Sequence, residues 1–197
     1  MLLDPAIELL ISLLFALLLL SASVHKFVDR QRFKGILAAY RLIPALALPL
    51  LVVAVPLLEL VLGLAWLSST QLNFVAPVTA LLLAVYTLAI GINLLRGNVD
   101  IDCGCGFAGH SDNSTGYQRL SSGLLLRNGL LMALALATLL PANDRVLGIW
   151  DYLFVAFACF GLLLLYAAGN QLLANKQRID SWRTPLLREA DNGGSNV

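Results

Sequence analysis

Five long apolar runs, separated by short polar intervals, organise the chain. They fall at about 6–24 (AIELLISLLFALLLLSASV), 45–67, 74–95, 122–140 and 150–168. Each is close to the roughly 20 apolar residues that a helix needs to cross a hydrocarbon core. Backbone polar groups in lipid must pair within their own segment, so each run is expected to be an α-helix. Trp66, Trp150 and Tyr166 stand near run ends, where aromatic rings meet headgroups. No internal repeat is visible. The pattern predicts an all-α membrane protein: a four-helix transmembrane bundle and a fifth, C-terminal transmembrane helix, one domain over residues 1–170.

Two intervals depart from plain loops. In 27–43 (FVDRQRFKGILAAYRLI), Phe33, Ile36, Leu37, Tyr40 and Ile43 share one helical face, with Arg30, Lys34 and Arg41 on the other. That is the pattern of a helix lying in the membrane interface; a helical extension of a neighbouring run suits it equally. The polar end, 171–197, closes in DNGGSNV and is expected to be disordered.

Composition sharpens this picture. The chain is 59% hydrophobic and 13% charged, against about a quarter charged in ordinary soluble domains. Asp4 and Glu8, with no Lys or Arg ahead of the first run, argue against a cleaved signal peptide. A net charge of +1 offers no footprint for nucleic acid. Its distribution matters more. Five crossings place 25–44, 96–121 and 169–197 on one side, with eleven Lys and Arg, against Arg145 alone opposite. The positive-inside rule would put that rich side in the cytoplasm.

The longest polar interruption, NVDIDCGCGFAGHSDN (98–113), holds two of the three cysteines, Cys103 and Cys105, around Gly104. Three readings stand. Cysteines two apart lie within tight reach of a disulfide, Gly104 can supply the unusual backbone angles, and a strained, exposed bridge is exchangeable. A metal site could add His110, Asp100 and Asp102, but zinc sites recruit a second cysteine pair that this chain lacks; no metal is expected. The pair could also be incidental to a turn. Cys159, inside the last run, reads as a small buried hydrophobe.

Ionisable and polar groups within the runs are costly and so point to function. Glu59 lies deep in the second run after Pro49 and Pro56, and Arg127 and Asn128 in the first turns of the fourth. At 1.5 Å per residue, Arg127 sits roughly 8 Å and Glu59 roughly 20 Å below the cysteine end, which disfavours a direct pair. Arg127 is then expected to snorkel towards the cysteine loop, and Glu59 is either a functional group or a neutral acid hydrogen-bonded in the bundle. His25 and Lys26 close the first run at the cysteine end. They serve either as interfacial anchors or as cations that lower a thiol's pKa.

Four blocks, SVHKFVDRQRFKGILAAYRLIP (23–44), PLLELVLGLAWL (56–67), IDCGCG (101–106) and LLLRNGLLMALALA (124–137), resemble the MauE family of methylamine utilization. That family is akin to the small DoxX-like multi-pass proteins. One departure is Gly106, which stands between Cys105 and Phe107 where many relatives read Cys-Gly-Cys-Phe-Gly. The resemblance implies a bacterial inner-membrane protein that matures the disulfide-rich small subunit of periplasmic methylamine dehydrogenase, with a thioredoxin-like MauD partner. It makes Cys103 and Cys105 the catalytic pair, with Gly104, His25, Lys26, Glu59, Arg127 and Asn128 in support. The bundle also looks like that of vitamin K epoxide reductase, which couples a membrane dithiol to a quinone. That enzyme has a second, shuttling cysteine pair, absent here, so a partner would supply it and a membrane quinone near Glu59 could accept electrons. The family role asks for a periplasmic cysteine loop, against the charge rule. A non-enzymatic scaffold for the same subunit is the rival reading.

Overall fold

A computed structural model describes residues 3–69, 71–98, 122–141, 143 and 145–193, and these form six helices. They are α1 (Pro5–Val28), α2 (Arg30–Ala39), α3 (Leu48–Leu67), α4 (Leu72–Leu95), α5 (Ser122–Ala137) and α6 (Ile149–Gly193). Four stretches are long and apolar enough to cross a membrane: α1, α3, α4 and Ile149–Gly169 of α6. The fourth apolar run of the sequence is shorter than expected. At 16 residues α5 is about 24 Å long, below the roughly 30 Å of a hydrocarbon core. It still carries the chain between the two ends of the bundle. Its first turn packs Leu124 against Ile90 and Tyr40, while beyond its far end Pro141 and Asn143 pair with the backbone of Leu3.

Local chemistry explains the helix ends. Asp4 caps α1 by accepting from Ala6 N at 2.9 Å, with Pro5 in the first turn. Asp29 breaks the run between α1 and α2 at φ −116°, ψ 66°, and its carboxylate accepts from Arg32 N. The interval read as 27–43 is thus a separate ten-residue helix, not an extension of its neighbours. Its apolar face is turned onto protein: Phe33 is buried over Lys26, and Tyr40, just past the helix, packs with Ile90 and Leu124. At the other end α6 runs on to Gly193, where the sequence led to an expectation of disorder from 171. Residues 171–176 are rich in good helix formers, which local propensity favours once a helix enters the segment, and the helix then continues past Pro185.

The core is built from antiparallel pairs, α1 on α3, α3 on α4 and α4 on α5, while α6 packs on α1 and runs parallel to it. Phe15 stacks on Trp66 with centroids 4.9 Å apart, and Ser23 Oγ donates to the Pro56 carbonyl at 2.8 Å. The Trp66 indole N–H in turn donates to Thr79 Oγ1 at 2.9 Å, a buried polar tie between α3 and α4. At the opposite end from Lys26, Arg145 binds both Asp4 and Asp151, at 3.1 and 2.9 Å. That exposed link joins the start of α6 to the start of α1 and contributes little to stability.

Gly63 lets α1 and α3 approach closely. A Cβ there would meet Leu20 Cγ at 2.9 Å and Leu20 N at 3.2 Å. Because a backbone atom is among the obstacles, the helices must separate to admit it. Gly63→Ala is expected to lower stability by about 1–3 kcal/mol, the usual range for overpacking. Thermal unfolding in detergent checks this, and an unchanged midpoint would contradict the packing described.

Candidate functional site: a polar-ended cavity in the bundle

α1 and α5 are not among the closely packed helix pairs. A cavity of about 450 Å³ lies there, lined also by α3, α4 and α6. Its long walls are apolar, with Leu10 and Leu14 from α1, Leu131 and Leu134 from α5, and Leu162 and Leu163 from α6. One end is polar. His25, Lys26, Glu59, Tyr86, Arg127 and Asn128 all line it.

Glu59 is the centre of that end. It is 1% exposed, on the face of α3 turned towards α1 and α4. Lys26, 6% exposed, pairs with Glu59 Oε1. The Tyr86 hydroxyl donates to the same oxygen at 2.8 Å. The Lys26 ammonium also stands 5.2 Å from the Tyr86 ring centroid and 5.4 Å from that of Phe33. Such ring faces attract a desolvated cation. So α2, through Phe33, closes the site over the ion pair. Glu59 Oε2 is buried and makes no hydrogen bond, an expensive omission for a carboxylate held away from water.

Of the readings left open, the arrangement favours a Glu59 partnered with a lysine, and it buries Lys26 where an interfacial anchor would reach water. The depth argument had assumed that the helices begin at a common level. α1 continues to Val28, which carries Lys26 inside the bundle. α2 and residues 40–47 then precede α3, so depth counted from residue 45 overstates how far Glu59 lies from Lys26. The carboxylate's partner is not Arg127, as the depth argument held, yet Arg127 and Asn128 line the same cavity.

The five supporting side chains His25, Lys26, Glu59, Arg127 and Asn128 are therefore gathered at one place. Cys103, Gly104 and Cys105, with Asp100, Asp102 and His110, lie outside the described residues. Asn98 and Ser122, which flank that segment, follow α4 and open α5 at the bundle end nearest the polar cluster. Cys159 is free and buried in α6, as a small apolar side chain would be. Among the described residues no group of three or more His, Cys, Asp or Glu could hold a metal ion.

Sequence reasoning missed Tyr86. A tyrosine in the middle of an apolar run, away from the interfacial positions that its ring prefers, is the signal that could have found it. It stands seven residues from Thr79, as Glu59 does from Trp66, so two turns along each helix repeat the α3–α4 hydrogen bond. The cavity suits a lipid-soluble molecule: a hydrocarbon wall meets one cluster of donors and a carboxylate oxygen still lacking a donor.

Fold and site together define a small multi-pass membrane protein with an ion-paired, polar-ended cavity inside its bundle. The chain belongs to the MauE family: the family described as Methylamine utilisation protein MauE matches residues 4–141. Curated relatives carry the same name. The Methylophilus methylotrophus protein is 27% identical over 184 residues, 91% of this chain and 94% of the relative. The Paracoccus versutus protein is 33% identical over 171 residues, covering 86% and 88%. The Methylorubrum extorquens protein is 36% identical over 185 residues, covering 88% and 90%. No solved structure matches the chain.

Proposed function

We propose that this protein is a membrane component of methylamine utilization that matures the small subunit of methylamine dehydrogenase by thiol–disulfide exchange at Cys103 and Cys105. The observation that carries the reading is the Cys-Gly-Cys itself, in a MauE-family chain whose other ionisable intramembrane side chains gather at the bundle end from which that segment departs. A thiolate of a thioredoxin-like, MauD-type partner attacks one sulfur of a Cys103–Cys105 disulfide. The S–S bond breaks, a mixed disulfide forms, and the leaving thiolate takes a proton. The partner's second thiol resolves the intermediate. The partner dithiol is then a disulfide, and this chain holds two thiols, having gained two electrons and two protons.

Reoxidation needs an acceptor of two electrons and two protons. A membrane quinone is the class that suits a bilayer-embedded protein, and the cavity is where the chain could hold one. The reading places the protein in the bacterial inner membrane with α5 as a crossing helix and the cysteine segment on the periplasmic side, where its client folds.

The test is a covalent trap. When the partner's second thiol is replaced by serine the intermediate cannot be resolved, so this chain, with both Cys103 and Cys105 in place, is expected to accumulate a mixed disulfide with the partner. The readout is a reductant-sensitive band on a non-reducing gel. A scaffold whose cysteines only close a loop would give no such band.

A further inference from the structure

We infer that the cavity between α1, α5 and α6 binds one lipid-soluble molecule whose polar head donates a hydroxyl to Glu59. This site does not depend on the cysteine chemistry. Its volume, about 450 Å³, falls within the roughly 300–1,000 Å³ typical of small-molecule and cofactor sites. Its wall is leucine and isoleucine from α1, α5 and α6, so the body of the ligand is hydrocarbon. The head is constrained by the polar end. Glu59 Oε1 already receives Lys26 and the Tyr86 hydroxyl, whereas the buried Oε2 receives nothing. A carboxylate oxygen can only accept. The missing group is therefore a donor, which an ionised carboxylate or phosphate head cannot be. An acceptor oxygen on the same head would face the amide of Asn128, itself buried against the cavity.

The chemistry is that of a lipophilic phenol or alcohol; the reduced form of a quinone is a redox-active member of that class. In such a complex Glu59 would hold the hydroxyl proton by hydrogen bond, with Lys26 and Tyr86 fixing its other oxygen. Neither bond is available to a hydrocarbon tail alone, so head chemistry should govern affinity.

Native mass spectrometry of the purified full chain in detergent, with dodecylphenol and dodecanoate as probes of equal tail length, tests this. Dodecylphenol is expected to bind as one molecule per chain and more tightly than dodecanoate. Two variants separate head from body. Lys26→Met with Glu59→Leu replaces the ion pair by apolar side chains of similar size, an exchange that often preserves folding; it should weaken dodecylphenol about tenfold or more, as loss of a hydrogen bond to a charged group does. Leu14→Trp fills the cavity and should abolish binding, with Leu163→Trp in its place if that chain does not fold. Equal binding of the two probes, survival of dodecylphenol binding in either variant, or no single-molecule adduct at all would each overturn the assignment.

Discussion

Glu59→Ala is expected to destabilise the protein by about 3–5 kcal/mol, the range for a buried pair that loses one partner. The reason is what remains. Without the carboxylate, the Lys26 ammonium stays between α1, α2 and α3, against the rings of Phe33 and Tyr86. Lys26→Ala should cost a similar amount, because it strands a carboxylate with one hydrogen bond, from Tyr86. The pair of substitutions Lys26→Met with Glu59→Leu is expected to cost much less than either truncation, since no buried charge is left over. Tyr86→Phe removes a hydrogen bond to a charged group and should cost about 1.5–3 kcal/mol. Thermal unfolding in detergent across a double-mutant cycle measures the coupling directly. Additive effects of the two truncations would mean that Lys26 and Glu59 do not meet.

The second large effect concerns function. Replacing Cys103 and Cys105 together by serine is expected to reduce active methylamine dehydrogenase to the level of a strain lacking this protein. Serine is nearly isosteric with cysteine, so the loop sequence and its length are kept. A hydroxyl, however, forms no disulfide and accepts no electrons from a dithiol, so exchange stops at its first step. Quantifying the mature small subunit in the periplasm, together with growth on methylamine, reads the outcome. Normal amounts of active enzyme in the serine variant would favour the scaffold, which needs the membrane bundle and not its sulfurs.

The spans were readable because apolar length is a direct consequence of bilayer thickness. α1, α3, α4 and the first half of α6 lie where the runs of Leu, Val and Ala put them. What the runs do not encode is relative height. Lys26 and Glu59 are separated by a helix and a turn in sequence, and their common level follows from α1 running on to Val28 and α3 starting only at Leu48. The same limit hid the role of Phe33. Its face was visible in the helical period, yet period alone cannot say whether an apolar face meets lipid or protein. α5 ended early because Thr138, Leu139 and Leu140 leave the helix before Pro141, although they are as apolar as the residues before them. Of the candidate site, the ionisable residues could be named from their cost in a membrane, whereas Tyr86 was marked only by its place in the middle of an apolar run.

Accessibility and redox state of Cys103 and Cys105 in the cell decide whether the pair can exchange with a periplasmic partner. Cys159→Ala removes the background thiol, a change that a small buried side chain should tolerate. Intact cells are then treated with a membrane-impermeant maleimide, with and without prior reduction, and compared with lysed cells. Eleven basic residues at the cysteine end argue for the cytoplasm, whereas the proposed client folds in the periplasm, so the outcome decides between them. Intact cells are expected to be labelled only after reduction, as an outward-facing disulfide requires. Labelling only after lysis, with no need of reductant, would contradict it: the cysteines would be free cytoplasmic thiols, and exchange with a periplasmic partner would be excluded.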